Sequence, residues 1–405
     1  MLKPNYDLQE AREMLALSYV ADLLGPKSEP GKKGFFVTPP ANNVQDPLPN
    51  DDGTVYPYPV FPIWPQGWQP AVPGPPDNPW KWSILQAAPF NLPPALLNLR
   101  MGSNNVIVSY HPGRDAYVVA FAGTENITGM LDDVSFLPVS AGPLDLPLYK
   151  SNTSYVSNFN YYKPTPPGGT VQQPPVLMPV MHFGFRFAVE EYTVHAASGK
   201  PYNLIELFQK LGKKEIDIYV TGHSLGGGMA SVFSAWLQAT GIPGVKTNVK
   251  MYSFAAPKPG NDVFTDNFDA GLTRSNMAYR VINSLDSVPQ LGFTWETFAD
   301  LNNPGMVKNL IPGGGGSSDK DTSSIWKRMV DKVKELLPGH LPNFNYSHVG
   351  STVAYMGQFP VAFPGTDFPS VYFPGDPNTP HPLSNPNLMQ QWWQHWPHVY
   401  YEIMN

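Results

Sequence analysis

Ile216-Asp217-Ile218-Tyr219-Val220-Thr221-Gly222-His223-Ser224-Leu225-Gly226-Gly227-Gly228 joins an apolar, β-branched run to a stretch with helical character that continues to about Leu237. The run Ile216–Val220 predicts a buried strand, and the segment from Ser224 predicts a helix. Between them lies G-x-S-x-G, from Gly222 to Gly226. A strand that turns this sharply into a helix strains the backbone at the serine and lifts its hydroxyl above the sheet. Glycines two residues to either side leave room for the turn, and Gly227, Gly228 and Ala230 let the helix lie close to the sheet. The helix N-terminus adds unpaired N–H groups and positive potential where an oxyanion would form. The bare motif recurs by chance, but the strand before it and the helix after it make it specific.

Outward from this point the chain alternates strands and helices. Val106–Tyr110 and Ala116–Phe121 read as strands joined by a turn at Pro112-Gly113-Arg114-Asp115. Helices follow near Phe185–Ala197 and Tyr202–Leu211, then strands at Val249–Phe254 and Tyr279–Asn283. This order predicts βαβ units and a mostly parallel central sheet flanked by helices, an α/β class. An N-terminal helix is expected as well. Asp7 stands three residues before Glu10, and Leu8, Ala11, Leu15, Tyr19 and Leu23 share a face before Gly25-Pro26 stops it.

The 405 residues include 47 prolines and 35 glycines, about a fifth of the chain, below the ~25–30% of low-complexity sequences. Thirteen of the prolines fall between Pro39 and Pro79 with Trp64 and Trp68 among them, so residues 36–80 read as an ordered, irregular Pro/Trp-rich insertion. Gly313–Gly316 begins a flexible joint that leads into an amphipathic helix carrying Ile325, Met329, Val333 and Leu336, an insertion over 305–345. The whole chain, 1–405, is expected to form one domain with long Pro-rich insertions. The absence of cysteine excludes disulfides, thiolate catalysis and Cys-ligated zinc. A formal charge of −6, with no basic clusters, argues against a nucleic-acid partner. No signal peptide and no transmembrane run is visible, so a soluble protein is expected, its compartment unknown.

A serine hydroxyl is a poor nucleophile at neutral pH and needs a general base. On a fold of this kind the order after the serine is acid, then histidine. Asp286 ends the strand Tyr279–Asn283 region, on the same rim as Ser224, and is the favoured acid. Asp262 competes, although beside a helix start it reads more simply as an N-terminal charge or cap. Five histidines lie downstream: His340, His348, His381, His395 and His398.

In order along the chain, Val119-Ala120-Phe121-Ala122-Gly123-Thr124, His182-Phe183-Gly184-Phe185, the serine motif, Phe254-Ala255-Ala256-Pro257 and Arg280–Pro289 resemble the class 3 lipases, the family of filamentous-fungal triacylglycerol lipases. The resemblance covers residues 100–290 firmly and the last sixty loosely, and it implies the α/β-hydrolase fold. It makes Ser224 the nucleophile and Asp286 the acid, with Thr124 and the backbone N–H of Leu225 forming the oxyanion hole. The family's H-x-x-Y pattern near the C-terminus falls on His398-Val399-Tyr400-Tyr401 and assigns the base to His398, ahead of His348 and His395. His182 matches a structural histidine, and His223 the variable position before the serine. Ala122 stands where the family has Arg, and Gly129-Met130 replace a polar residue and Trp. Both departures lie in the lid-bearing loop. The stretch from Ser135 to Thr170, within an insertion over 135–180, reads either as a packed surface insertion or as an apolar lid.

The expected activity is hydrolysis of carboxylic esters, acylglycerols above all, through an acyl-enzyme on Ser224 with no metal and no organic cofactor. The substrate would be a lipid or other ester, met at a lipid–water interface. A phospholipase A1 or a short-chain or aromatic esterase of the same fold stays open. An acyltransferase and a non-catalytic lipid-binding protein are the rivals from other classes.

Overall fold

The computed structural model describes residues 2–23, 65–76, 83–86, 105–123, 138–140, 180–193, 203–283, 286, 288–290, 346–355, 395 and 397–404. In chain order the helices are Leu8–Leu23 (α1), Phe183–Thr193 (α2), Leu204–Lys210 (α3), Leu225–Ala239 (α4), Asp262–Phe268 (α5) and Pro397–Ile403 (α6). The strands are Gln69–Pro70 (β1), Ile84–Gln86 (β2), Asn105–His111 (β3), Ala116–Phe121 (β4), Pro138–Ser140 (β5), Val180–His182 (β6), Glu215–His223 (β7), Lys246–Phe254 (β8), Gly260–Asn261 (β9), Ala278–Asn283 (β10), Tyr346–Ser347 (β11) and Ser351–Tyr355 (β12).

The main sheet runs β1-β3-β4-β7-β8-β10-β12, with β2 also on β3. β4, β7, β8, β10 and β12 are parallel, and β1, β2 and β3 add an antiparallel margin. Both faces are covered, so the central strands alternate between two cores instead of between core and solvent. Val119, Phe121, Ile218 and Val220 pack with α2 and α4 on one side. Val118, Ala120, Tyr219, Tyr252 and Phe254 pack with α1 and α6 on the other. The expected α/β architecture with a mostly parallel sheet is therefore present. The edge strand β12, the marginal strands β1 and β2, the helix α6 and a small second sheet of order β11-β9-β6-β5 were not expected.

The N-terminal helix is capped as the sequence suggests, with the Asp7 carboxylate accepting from Glu10 N at 2.9 Å. Its burial differs from a single amphipathic stripe. Leu8 is exposed, while Ala11 and nearly every residue from Glu13 to Ala21 is buried between the sheet and α6. Two carboxylates fasten it there. Glu10 accepts from Lys250 Nζ at 2.5 Å, Tyr219 OH at 2.7 Å and Tyr252 OH at 3.0 Å. Glu13 accepts both Nη atoms of Arg114, at 2.7 and 2.8 Å, and Trp68 Nε1 at 3.2 Å. Because Lys250 is fully buried, removing its partner strands a charge. Glu10→Ala is expected to cost about 3–5 kcal/mol in a urea titration. The double replacement Glu10→Leu with Lys250→Met should recover most of that loss, since neither charge is then buried alone.

Of the expected insertions, 36–80 is described only over 65–76, where β1 joins the sheet edge and Trp68 is buried. Within 135–180 only β5 and the start of β6 are described. The segment 305–345 lies outside the described residues. Among the described residues no helix is long and apolar enough to cross a membrane.

Candidate active site

At the end of β7 the chain must reverse from extended to helical within one residue. Ser224 makes that turn with φ 58° and ψ −128°, a left-handed conformation that costs a non-glycine residue of order 1–3 kcal/mol. Neighbouring glycines make the turn sterically feasible. A Cβ on Gly222 would stand 2.1 Å from the carbonyl of Gly226, and one on Gly226 would stand 2.2 Å from the carbonyl oxygen of Phe121. Ser224 N donates to the Phe254 carbonyl at 2.9 Å, tying the turn to β8. Ser224 Oγ has no hydrogen-bond partner among the described residues. Leu225 opens α4, where the first amides have no acceptor one turn back. The close approach of Gly226 to Phe121 and Ala122 brings the end of β4 beside that amide. Thr124, the expected side-chain donor of the oxyanion hole, lies outside the described residues.

Asp286 follows β10 and is buried. Its own N–H donates to the Asn283 carbonyl at 3.0 Å, closing the turn after the strand. Three donors converge on its carboxylate. Val288 N reaches Oδ1 at 2.9 Å, while Tyr400 OH and His395 Nδ1 reach Oδ2 at 2.7 and 2.9 Å. Burial and the adjacent carboxylate push the Tyr400 phenol well above its ordinary range, so it stays protonated and donates. The same oxygen accepts from Asn283 N at 3.1 Å. Facing a carboxylate, His395 Nδ1 carries the ring proton, which leaves Nε2 as the basic nitrogen.

The imidazole that meets Asp286 is thus that of His395, which the sequence reading ranked behind His398. Tyr400 docks on Asp286 from α6, and the side chain of His398 lies outside the described residues. The histidine on Asp286 comes from position 395, itself helical, on the segment that leads into α6. The H-x-x-Y pattern places its histidine three residues beyond the one that meets Asp286. A histidine five residues ahead of a tyrosine was the available signal.

The remaining candidates lie elsewhere. Asp262 occupies the first turn of α5, where Asn261 is the N-cap and the Ser347 hydroxyl bonds the Asp262 carboxylate. His348 precedes β12. Burial, then Arg280 and Lys258, hold it well below the ordinary histidine range, and among the described residues no hydrogen bond joins it to Ser224 or Asp286. His182 ends β6, stacked on Phe185 with ring centroids 4.0 Å apart. Burial pushes it down from 6.5 to about 3, so it is neutral in the folded protein.

That neutrality has a sign. An unfolded chain takes up a proton on His182 below pH 6.5 while the folded one does not, so stability falls as the pH drops from 6.5 toward 3. The slope from this one group approaches ~1.4 kcal/mol per pH unit. Urea midpoints at pH 7 and pH 5 measure it, and His182→Gln should flatten the difference. Among the described residues no group of three His, Asp or Glu side chains is arranged to hold a metal ion.

Residues 118–295 match the family described as lipase (class 3), a span that begins in β4, contains Ser224 and Asp286, and ends before His395. A secreted mono- and diacylglycerol lipase of Fusarium solani is 33% identical over 111 residues, 27% of this chain and 29% of that protein. A lipase of Caenorhabditis elegans is 33% identical over 132 residues, 32% of this chain and 33% of that one. The chain therefore matches about a third of the length of these relatives. The crystal structure of M37 lipase is 16% identical with a TM-score of 0.49, covering 83% of this chain and 80% of that one. The serine turn and the acid loop both lie inside the matched span, in the order the sequence predicts, and over these residues the chain is similar to the class 3 lipases.

Proposed function

We propose that the protein is a serine hydrolase of carboxylic esters, with acylglycerols as its substrates and His395 as its general base. In this reading Ser224 Oγ attacks the acyl carbon as its proton passes to His395 Nε2. The tetrahedral oxyanion is held by the Leu225 amide and by Thr124, the latter as the family resemblance implies. On collapse the ester C–O bond breaks and the imidazolium returns its proton to the leaving alcohol. Water, deprotonated by the same imidazole, then cleaves the acyl-enzyme and releases the carboxylic acid. Asp286 fixes the tautomer of His395 and stabilises the imidazolium, while remaining ionised itself.

The observation that carries this reading is the 2.9 Å contact between His395 Nδ1 and Asp286 Oδ2, on a segment that also packs against the residue preceding Ser224. A serine-reactive fluorophosphonate, followed by a panel of p-nitrophenyl esters, triacylglycerols and phospholipids, tests it. Labelling at Ser224 with preferential hydrolysis of acylglycerols is expected. Labelling without acylglycerol hydrolysis would move the protein to another esterase class, and no labelling would remove the serine chemistry altogether. Asp286→Asn should leave KM nearly unchanged and lower kcat by about ten-thousand-fold, because a neutral amide favours the wrong tautomer of the base.

A further inference from the structure

His223 is the last residue of β7 and the immediate neighbour of Ser224, and it is buried at 4% exposure. Its Nε2 lies 2.6 Å from the main-chain carbonyl oxygen of His395. A carbonyl only accepts, so this nitrogen carries a proton and His223 is the donor. The same ring packs against the His395 imidazole, with centroids 4.7 Å apart, and meets Tyr400 edge-on at 5.9 Å. It therefore touches the backbone of one residue and the rings of two on the C-terminal segment.

The need for such a tie follows from topology. Ser224 is fixed by β7, β8 and α4, whereas His395 lies on the C-terminal helical segment that leads into α6. Asp286 holds the imidazole of His395 at Nδ1, and the His223 contact acts on the main chain of the same residue. A second restraint at the His395 main chain sets where Nε2 stands relative to the nucleophile. We propose that His223 is a positioning residue of the reaction, tying the residue before the nucleophile to the main chain of the base and thereby fixing the Ser224–His395 geometry. His223 itself touches no reacting atom. The inference rests on His395 being the base, as proposed above.

The test compares His223→Phe, which keeps a ring and removes the donor, with His223→Gln, whose amide nitrogen reaches roughly the place of Nε2. Active sites are counted by fluorophosphonate titration, so that kcat refers to folded protein. For His223→Phe we expect kcat to fall about a hundredfold, the scale of a 1 Å misplacement, with KM within about twofold of wild type. The rate of fluorophosphonate labelling should fall in parallel, because it depends on the same proton transfer. His223→Gln should regain most of the loss in both. Wild-type kcat per active site in His223→Phe overturns the inference, as does an equal loss in both variants, which would mark a packing role. His395→Ala is run alongside. If it keeps turnover, the assignment of the base fails; if it is inactive while His223→Phe is normal, only the positioning role fails.

Discussion

Ser224→Ala is expected to lower turnover of a p-nitrophenyl ester by about a million-fold and to abolish fluorophosphonate labelling. In the mechanism proposed above, the mutation removes the atom that forms the acyl bond and little else. Ser224 Oγ has no hydrogen-bond partner among the described residues, so no structural bond is lost with it. Alanine meets the same left-handed strain at φ 58° that serine already tolerates, and the surrounding glycines still give the turn its room. Far-UV dichroism and the thermal midpoint should therefore stay at their wild-type values. Ser224→Gly should be as inactive and somewhat more stable, because glycine relieves the strain that the turn imposes. Retention of more than a few per cent of activity in a folded Ser224→Ala protein would place the nucleophile elsewhere.

The parts of this molecule that are local in sequence were legible in it. The β7–Ser224–α4 unit is specified by an apolar run, two flanking glycines and a helix-forming stretch, all within twenty-five residues. Asp286 was legible because it follows a strand that must lie beside β8, which places its carboxylate on the same rim as Ser224. What escaped notice is set by contacts distant in sequence. Glu10 and Glu13 look like ordinary first-turn acids, and only the fold shows them joined to Lys250 and Arg114, more than two hundred and one hundred residues away. Lys250 in turn reads as the polar position of an alternating strand, although in a sheet covered on both faces that position is interior. The edge strand β12 carries a weak apolar signal because Thr352 and Ala354 face solvent. His395 was ranked behind His398 for a related reason. Its place beside Asp286 is a contact across 109 residues, about which a short pattern near the C-terminus carries no information.

His395 and His398 are separated most sharply by replacing each in turn. His395→Ala is expected to lose turnover by a factor of about a million, as much as Ser224→Ala, since nucleophile and base act as one unit. Labelling by the fluorophosphonate should disappear with it, because the same proton transfer activates the serine toward both reagents. His398→Ala should keep kcat within a few-fold of wild type. The carboxylate of Asp286 would still hold Val288 N and Tyr400 OH in the His395→Ala protein, so the acid loop and α6 should remain docked and the fold intact. The space left by the ring then adjoins both Asp286 and Ser224's neighbour His223. Free imidazole added at high concentration should enter it and restore part of the activity, whereas it should do nothing for Ser224→Ala. Rescue of this kind ties the lost function to the missing imidazole and not to a disturbed backbone. An active His395→Ala protein, or a His398→Ala protein as inactive as Ser224→Ala, would return the base to position 398 and leave the His395–Asp286 contact a structural one.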